Sequence, residues 1–150
     1  MEVRMGQLLT DDLGFLLSRA SGAVVRATNA ALAEHGLRVR QYSVLVLACE
    51  RGDDSGDGVT QRELAAVLGL DPSQVVLLVD ELTAAGLVER RPDPADRRTR
   101  LVVATVAGHR TRAAAGAAAD AALETPLGLL GEAERERLRD VLTRIWSAAG

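Results

Sequence analysis

Thr60-Gln61-Arg62-Glu63 and Asp71-Pro72-Ser73-Gln74 give the same local instruction twice. In each, an oxygen-bearing N-cap residue is followed three positions later by Glu or Gln. Cap side chain and N3 side chain can then satisfy each other's backbone N–H groups and start a helix. Pro72 falls at the first helical position, where a missing N–H costs nothing. The first helix has an apolar face of Leu64, Ala65 and Leu68 and ends at Gly69. The second runs to about Ala85, and Gly86 closes it. Only "GLD" separates the two. Two short capped helices on so tight a link read as a helix-turn-helix.

The flanking segments complete the expected order. Leu13, Leu16, Leu17, Ala20, Val24, Ala27 and Ala31 recur at spacings of three and four, which predicts a helix over about 11–35 with Gly36 as its stop. A second helix is expected over about 40–50, followed by a polar loop, "RGDDSGDG". That loop lacks the ligand spacing of a calcium site. After the capped pair, "LVERR" (87–91) and "TRLVVAT" (99–105) read as strands around the turn "PDPADR". Thr105 can cap an Ala-rich helix that Pro126 breaks, and a last amphipathic helix spans about 131–148 through Leu138, Val141, Leu142 and Ile145. The fold class is mainly α with a small β-hairpin wing: a winged helix-turn-helix between N- and C-terminal helices. With only three aromatic residues, Phe15, Tyr42 and Trp146, its core must be built from Leu, Val and Ala.

Charge on the hairpin is the next constraint. The chain has a net charge of -3, yet "RRPDPADRRTR" (90–100) holds five of its eighteen basic residues, all of them Arg. A hairpin tip beside a helix-turn-helix lies near any groove that the second helix enters. Arg97 and Arg98 at the turn, with Arg90, Arg91 and Arg100 on its flanks, suit contact with phosphates or a narrow minor groove. Pro and Asp stiffen the loop, and Asp96 could pair with a neighbouring Arg and hold it extended. On an isolated hairpin the same charges would only blunt sheet edges.

From Thr60 to Arg110 the sequence resembles the winged helix of the multiple-antibiotic-resistance regulator (MarR) family. The likeness lies in "ELA..LGLDPS", "VDEL...GLVER", the "PDPADRR" wing with Asp96 and Arg98, and the return "LVVATVAGHR". The flanking helices follow the family's order too. The resemblance implies a homodimeric transcriptional repressor on a pseudo-palindromic DNA operator, with a helical base formed by both chain ends. It also implies release by a small aromatic or phenolic effector bound between base and wing. The winged-helix part is expected at about 37–104, with dimerisation helices at about 8–36 and 105–150. Independently, the long N-terminal helix and the C-terminal pair carry apolar stripes too long for a small winged helix to cover, as a dimer interface would.

The recognition helix departs from the pattern. With Val75, Leu78, Val79 and Leu82 inward, it offers Ser73, Gln74, Val76, Leu77 and Glu81 outward and has no basic residue. Gln74 could pair with adenine, Ser73 with a phosphate or base edge, and Val76 and Leu77 with thymine methyls. Glu81 would repel phosphate. Over residues 60–100 there are six Arg against seven acids, a net of -1. Phosphate neutralisation must therefore come from placement, by Arg62 on the preceding helix together with Arg97, Arg98 and Arg100. The alternative is a protein-interaction module whose apolar helix has weak or lost DNA binding.

Arg26, Tyr42 and His35 are candidates for an effector pocket; the alternatives are an ion-pair partner, a core tyrosine and a helix-end histidine. Cys49, the sole cysteine, ends an apolar helix face and reads as a buried structural thiol. No Ser-His-Asp set, phosphate loop or metal-ligand cluster is suggested, so no enzyme, metal or cofactor is expected. The start "MEVRMGQLLTDD" lacks a signal-peptide core, and no apolar run approaches the roughly 20 residues of a membrane span. The expected location is the cytoplasm, with no membrane partner.

Overall fold

The structure, a computed structural model, describes residues 6–55 and 58–149. Its elements are α1 (Gln7–Thr10), α2 (Leu13–Ala33), α3 (Val39–Ser55), β1 (Val59–Thr60), α4 (Gln61–Leu68), α5 (Pro72–Ala84), β2 (Val88–Pro92), β3 (Arg100–Ala104), α6 (Val106–Leu127) and α7 (Glu132–Ala148). Both capping boxes form as the sequence dictates. Thr60 accepts the Glu63 N–H at 3.1 Å while Glu63 takes the Thr60 N–H at 2.9 Å. Asp71 accepts from Ser73 at 3.0 Å, and Gln74 reaches back to the Asp71 N–H. Gly69 makes the intervening turn at φ 62°, a left-handed conformation that a side chain resists.

The core lies where α3, α4 and α5 meet the sheet. Val44, Leu45, Leu64, Val75, Val79, Leu82, Val88 and Val102 are fully buried there or nearly so. Leu32, Ala115 and Ala119 extend it between α2 and α6. The small alanines of α6 let α2 lie close along it, the most extensive helix packing in the chain.

Several details differ from the sequence expectation. The sheet has three antiparallel strands in the order β1-β3-β2, because Val59 and Thr60 pair with Val102 and Leu101. Two residues are too few to show alternation, so β1 exists only through its partner. The second helix runs on to Ser55, through the first five residues of the expected loop. A lone Gly52 costs a helix only about 1 kcal/mol and does not stop it. Residues 56 and 57 of that loop lie outside the described residues. Pro126 sits inside the last turn of α6 and does not end it; the chain leaves the helix at Gly128. No helix among the described residues is long and apolar enough to cross a membrane.

Candidate nucleic-acid interface

The wing is a turn held by its own aspartates. Asp93 Oδ1 accepts the Ala95 N–H at 2.9 Å, and Asp96 Oδ1 accepts the Arg98 N–H at 3.0 Å. Backbone bonds from Asp93 to Thr99 and from Thr99 to Asp96, both 2.9 Å, close the loop. Asp96 thus supports the wing through the backbone and not, as expected, by pairing with an arginine side chain. A carboxylate bound to N–H groups fixes the loop and leaves the guanidinium groups unspent. Arg97, Arg98 and Arg100 are all exposed.

Arg90 departs further from its expected phosphate-contacting role. Its Nε donates to Gln61 at 3.0 Å and its Nη2 sits 2.7 Å from Asp80, with only 28% of the side chain exposed. It is a strut joining β2 to the start of α4 and the middle of α5. Arg91 pairs with Glu89 beside it.

On α5, Val75, Leu78, Val79 and Leu82 face the core, as expected. Ser73, Gln74, Val76, Leu77 and Glu81 are exposed, Leu77 most prominently among the apolar ones at 62%. At 100° per residue, Ser73 and Leu77 lie opposite the buried face, while Gln74 and Glu81 turn to one flank and Val76 to the other. Ser73 and Gln74 are committed to capping: the Ser73 hydroxyl donates to Asp71 at 2.9 Å, and the Gln74 carbonyl takes the Asp71 N–H at 3.4 Å. The second bond is long and easily exchanged for a base edge.

The net charge of -1 over residues 60–100 proves a poor guide, because every acid in that stretch is engaged. Glu63, Asp71, Asp93 and Asp96 bind backbone N–H groups. Asp80 and Glu89 pair with arginines of β2. Glu81 pairs with Arg38, just before α3, at 3.1 Å, and the Gln41 amide donates to the same carboxylate oxygen. Among the described residues, Arg62, Arg97, Arg98 and Arg100 form no salt bridge. Four free cations on α4 and the wing flank a helix whose acids are neutralised.

A cleft of about 490 Å³ opens beside this surface, between α2, the start of α3 and α5. Val25, Val39, Leu77 and Leu78 form its apolar wall; Asn29, Arg38, Arg40, Gln74 and Glu81 supply polar groups. Asn29 also holds the wall in place by accepting the Val39 N–H at 2.9 Å. The expected pocket residues Arg26, Tyr42 and His35 are not part of its lining. Tyr42 packs on the core with its hydroxyl near Gly116, Arg26 lies exposed on α2 near Gly22, and His35 belongs to the turn that ends α2. Arg38 and Arg40 were missed by sequence reasoning; their only trace was two arginines around one apolar residue at a helix start. Cys49 is 1% exposed in the core. Burial pushes its thiol above the ordinary value, with Arg112 acting in the other direction. No group of His, Cys, Asp and Glu among the described residues could hold a metal ion.

A model of the MarR family matches residues 35–99. CouR from Rhodococcus jostii RHA1, solved bound to p-coumaroyl-CoA, is 51% identical over 94% of this chain and 96% of its own, with a TM-score of 0.84. A CouR repressor solved on a 23-mer DNA duplex is 32% identical over 97% of this chain and 99% of its own, with a TM-score of 0.82. The uncharacterized HTH-type transcriptional regulator YdcH of Bacillus subtilis (strain 168) is 35% identical over 95 residues, and the match spans 63% of this chain and 64% of that relative's length. These relatives are regulators and not enzymes. A transcriptional regulator (MarR family) from Rhodococcus sp. RHA1 is 50% identical over 94% of this chain and 96% of its own, with a TM-score of 0.85. With helix-turn-helix, wing and flanking helices all shared at that level over nearly its full length, this chain belongs to the MarR family of transcriptional regulators.

Proposed function

We propose that this regulator is a repressor that binds double-stranded DNA as a homodimer and releases it when a small ligand fills the cleft beside α5. Residues 37–104 form the DNA-binding part, and 8–36 with 105–150 form the dimer base. Two-fold symmetry sets two half-sites about one helical turn apart. In each, Ser73, Gln74, Val76 and Leu77 face the major groove, while Arg62, Arg97, Arg98 and Arg100 meet phosphates or the adjacent minor groove. The observation that carries this reading is the set of four unpaired arginines around an α5 whose own acids are neutralised. The DNA-bound CouR repressor supports it by likeness.

The cleft's apolar wall with two arginines at its edge fits a ligand that joins an aromatic or apolar part to an anionic group. The p-coumaroyl-CoA bound by the more similar CouR has that character.

The experiment is a binding titration on the DNA upstream of the protein's own gene at low salt. Arg98→Ala should weaken binding roughly tenfold and make the salt dependence about two units shallower, one for each half-site, with dimerisation intact. DNA binding that ignores the loss of Arg98 sinks the assignment of the wing. If no promoter fragment binds at all, exposed Val76 and Leu77 belong to a protein-interaction surface.

A further inference from the structure

We infer that Glu81 is a charge switch on the recognition helix, neutralised by Arg38 and Gln41 until an anionic ligand in the cleft draws Arg38 away. The inference rests on the reading of the cleft as a ligand site, and adds how occupancy reaches the DNA.

The two acids in the middle of α5 are neutralised in different ways. Asp80 takes its cation from Arg90, which is part-buried and also tied to Gln61 within the winged helix. Glu81 takes its cation from Arg38, outside the helix-turn-helix and on the edge of the cleft. Arg38 and Glu81 keep 68% and 44% of their side chains exposed, so their pair is weak and exchangeable. Arg38 Nη2 and the Gln41 amide both meet Oε2 of Glu81. A carboxylate or phosphate entering the cleft meets Arg40, which has no salt bridge among the described residues, and Arg38 beside it. A planar guanidinium that turns to make two bonds to an incoming anion gives up its bond to Glu81. Gln41 remains, but it is neutral. The recognition helix then presents a bare negative charge to the DNA phosphates with no movement of the helix required.

The physics sets the scale. One unscreened unit charge about 7 Å from a phosphate in a watery interface changes affinity by about two- to threefold, and less as salt rises. A dimer carries two such switches.

A mutant cycle on an operator fragment tests the switch without any ligand. Arg38→Ala should lower DNA affinity about three- to tenfold at low salt, with the loss shrinking at higher salt. Adding Glu81→Gln to that variant should restore most of the loss. If the double variant stays as weak as Arg38→Ala alone while melting like the wild type, Arg38 acts on the DNA directly and the switch is wrong. The ligand half uses p-coumaroyl-CoA as the probe. Glu81→Gln should bind it as measured by calorimetry, yet hold DNA against it better than the wild type does. Equal release from both proteins overturns the switch and leaves the ligand site standing. Failure of the wild type to bind the probe overturns the ligand reading and the ligand-driven half of the switch, and the mutant cycle then judges the Arg38–Glu81 pair alone.

Discussion

At the scale of single residues, Gly108 carries more of the fold than its place before a surface histidine suggests. It is buried at the start of α6, where the helix meets the turn that follows α5. Thr105 fixes this joint twice: its N–H donates to the Leu87 carbonyl at 3.0 Å and its hydroxyl to the Gly86 carbonyl at 2.7 Å. A Cβ on Gly108 would stand 2.0 Å from the Leu87 carbonyl oxygen and 3.3 Å from Leu45. The oxygen is backbone and already bonded to Thr105, so it cannot yield without opening the joint. Gly108→Ala should therefore cost about 3 kcal/mol or more, the upper end of overpacking. Gly36 is the control: its φ is 70°, with nothing near the place of a Cβ. Its change to Ala should cost only about 1 kcal/mol, from backbone strain. Urea unfolding of the two variants side by side measures both, and equal costs would mean that the joint is looser than its distances imply.

At the scale of elements, the helix-turn-helix depends on two carboxylates whose charge is part of the cap. The Thr60 N–H holds the Glu63 carboxyl below its ordinary range, against a smaller opposing push from burial. The Ser73 N–H does the same for Asp71. A folded-state value below the unfolded one means stabilisation that is complete above the ordinary carboxylate range and is lost as pH falls through the depressed value. The capped pair should therefore loosen as pH falls below the ordinary carboxylate range, and Glu63→Gln, which caps without a charge, should flatten that acid slope. Melting curves at stepped pH test this; a variant as acid-sensitive as the wild type would remove Glu63 from the account. Thr60→Ala should cost about 1 kcal/mol at neutral pH. Both caps and the Asp-Pro wing were legible in the sequence because each is a local bargain among neighbours a few positions apart. The third strand was not, since Val59 and Thr60 become a strand only against Val102 and Leu101. Nor was the cleft, whose walls come from α2, the start of α3 and α5. The charge count misled for the same reason: Glu81 finds its cation in Arg38, and the other acids find backbone N–H groups or arginines that no windowed sum assigns to them.

At the scale of the whole molecule, α7 is the element that a lone chain does not explain. It has no buried residue and barely touches the rest of the chain. Its direction is set at the elbow after α6, where Arg135 makes two bonds to Glu124, at 2.9 and 3.1 Å, and caps the Leu127 carbonyl at 3.1 Å. Beyond the elbow, Val141, Leu142, Ile145 and Trp146 stand in solvent, with Ile145 at 52% exposed. Leu8, Leu13 and Leu17 are exposed at the N-terminal end. An uncovered apolar stripe on a helix held at a fixed angle marks an interaction surface, and in the proposed two-fold dimer the same stripe of a second copy, together with its neighbours, covers it. Ile145→Asp puts an unpaired carboxylate into that contact, at a cost of about 3 kcal/mol and hence more than a hundredfold in dimer affinity. The folded chain itself should hardly notice, because Ile145 is half exposed on a helix that buries no residue. Sedimentation should show a monomer, and far-UV circular dichroism an unchanged helix content. DNA binding should fall much further than any wing substitution lowers it, because two linked half-site contacts reinforce each other and one alone does not. Were the variant to stay dimeric and bind DNA as before, the interface would lie elsewhere and the exposed face of α7 would need another partner.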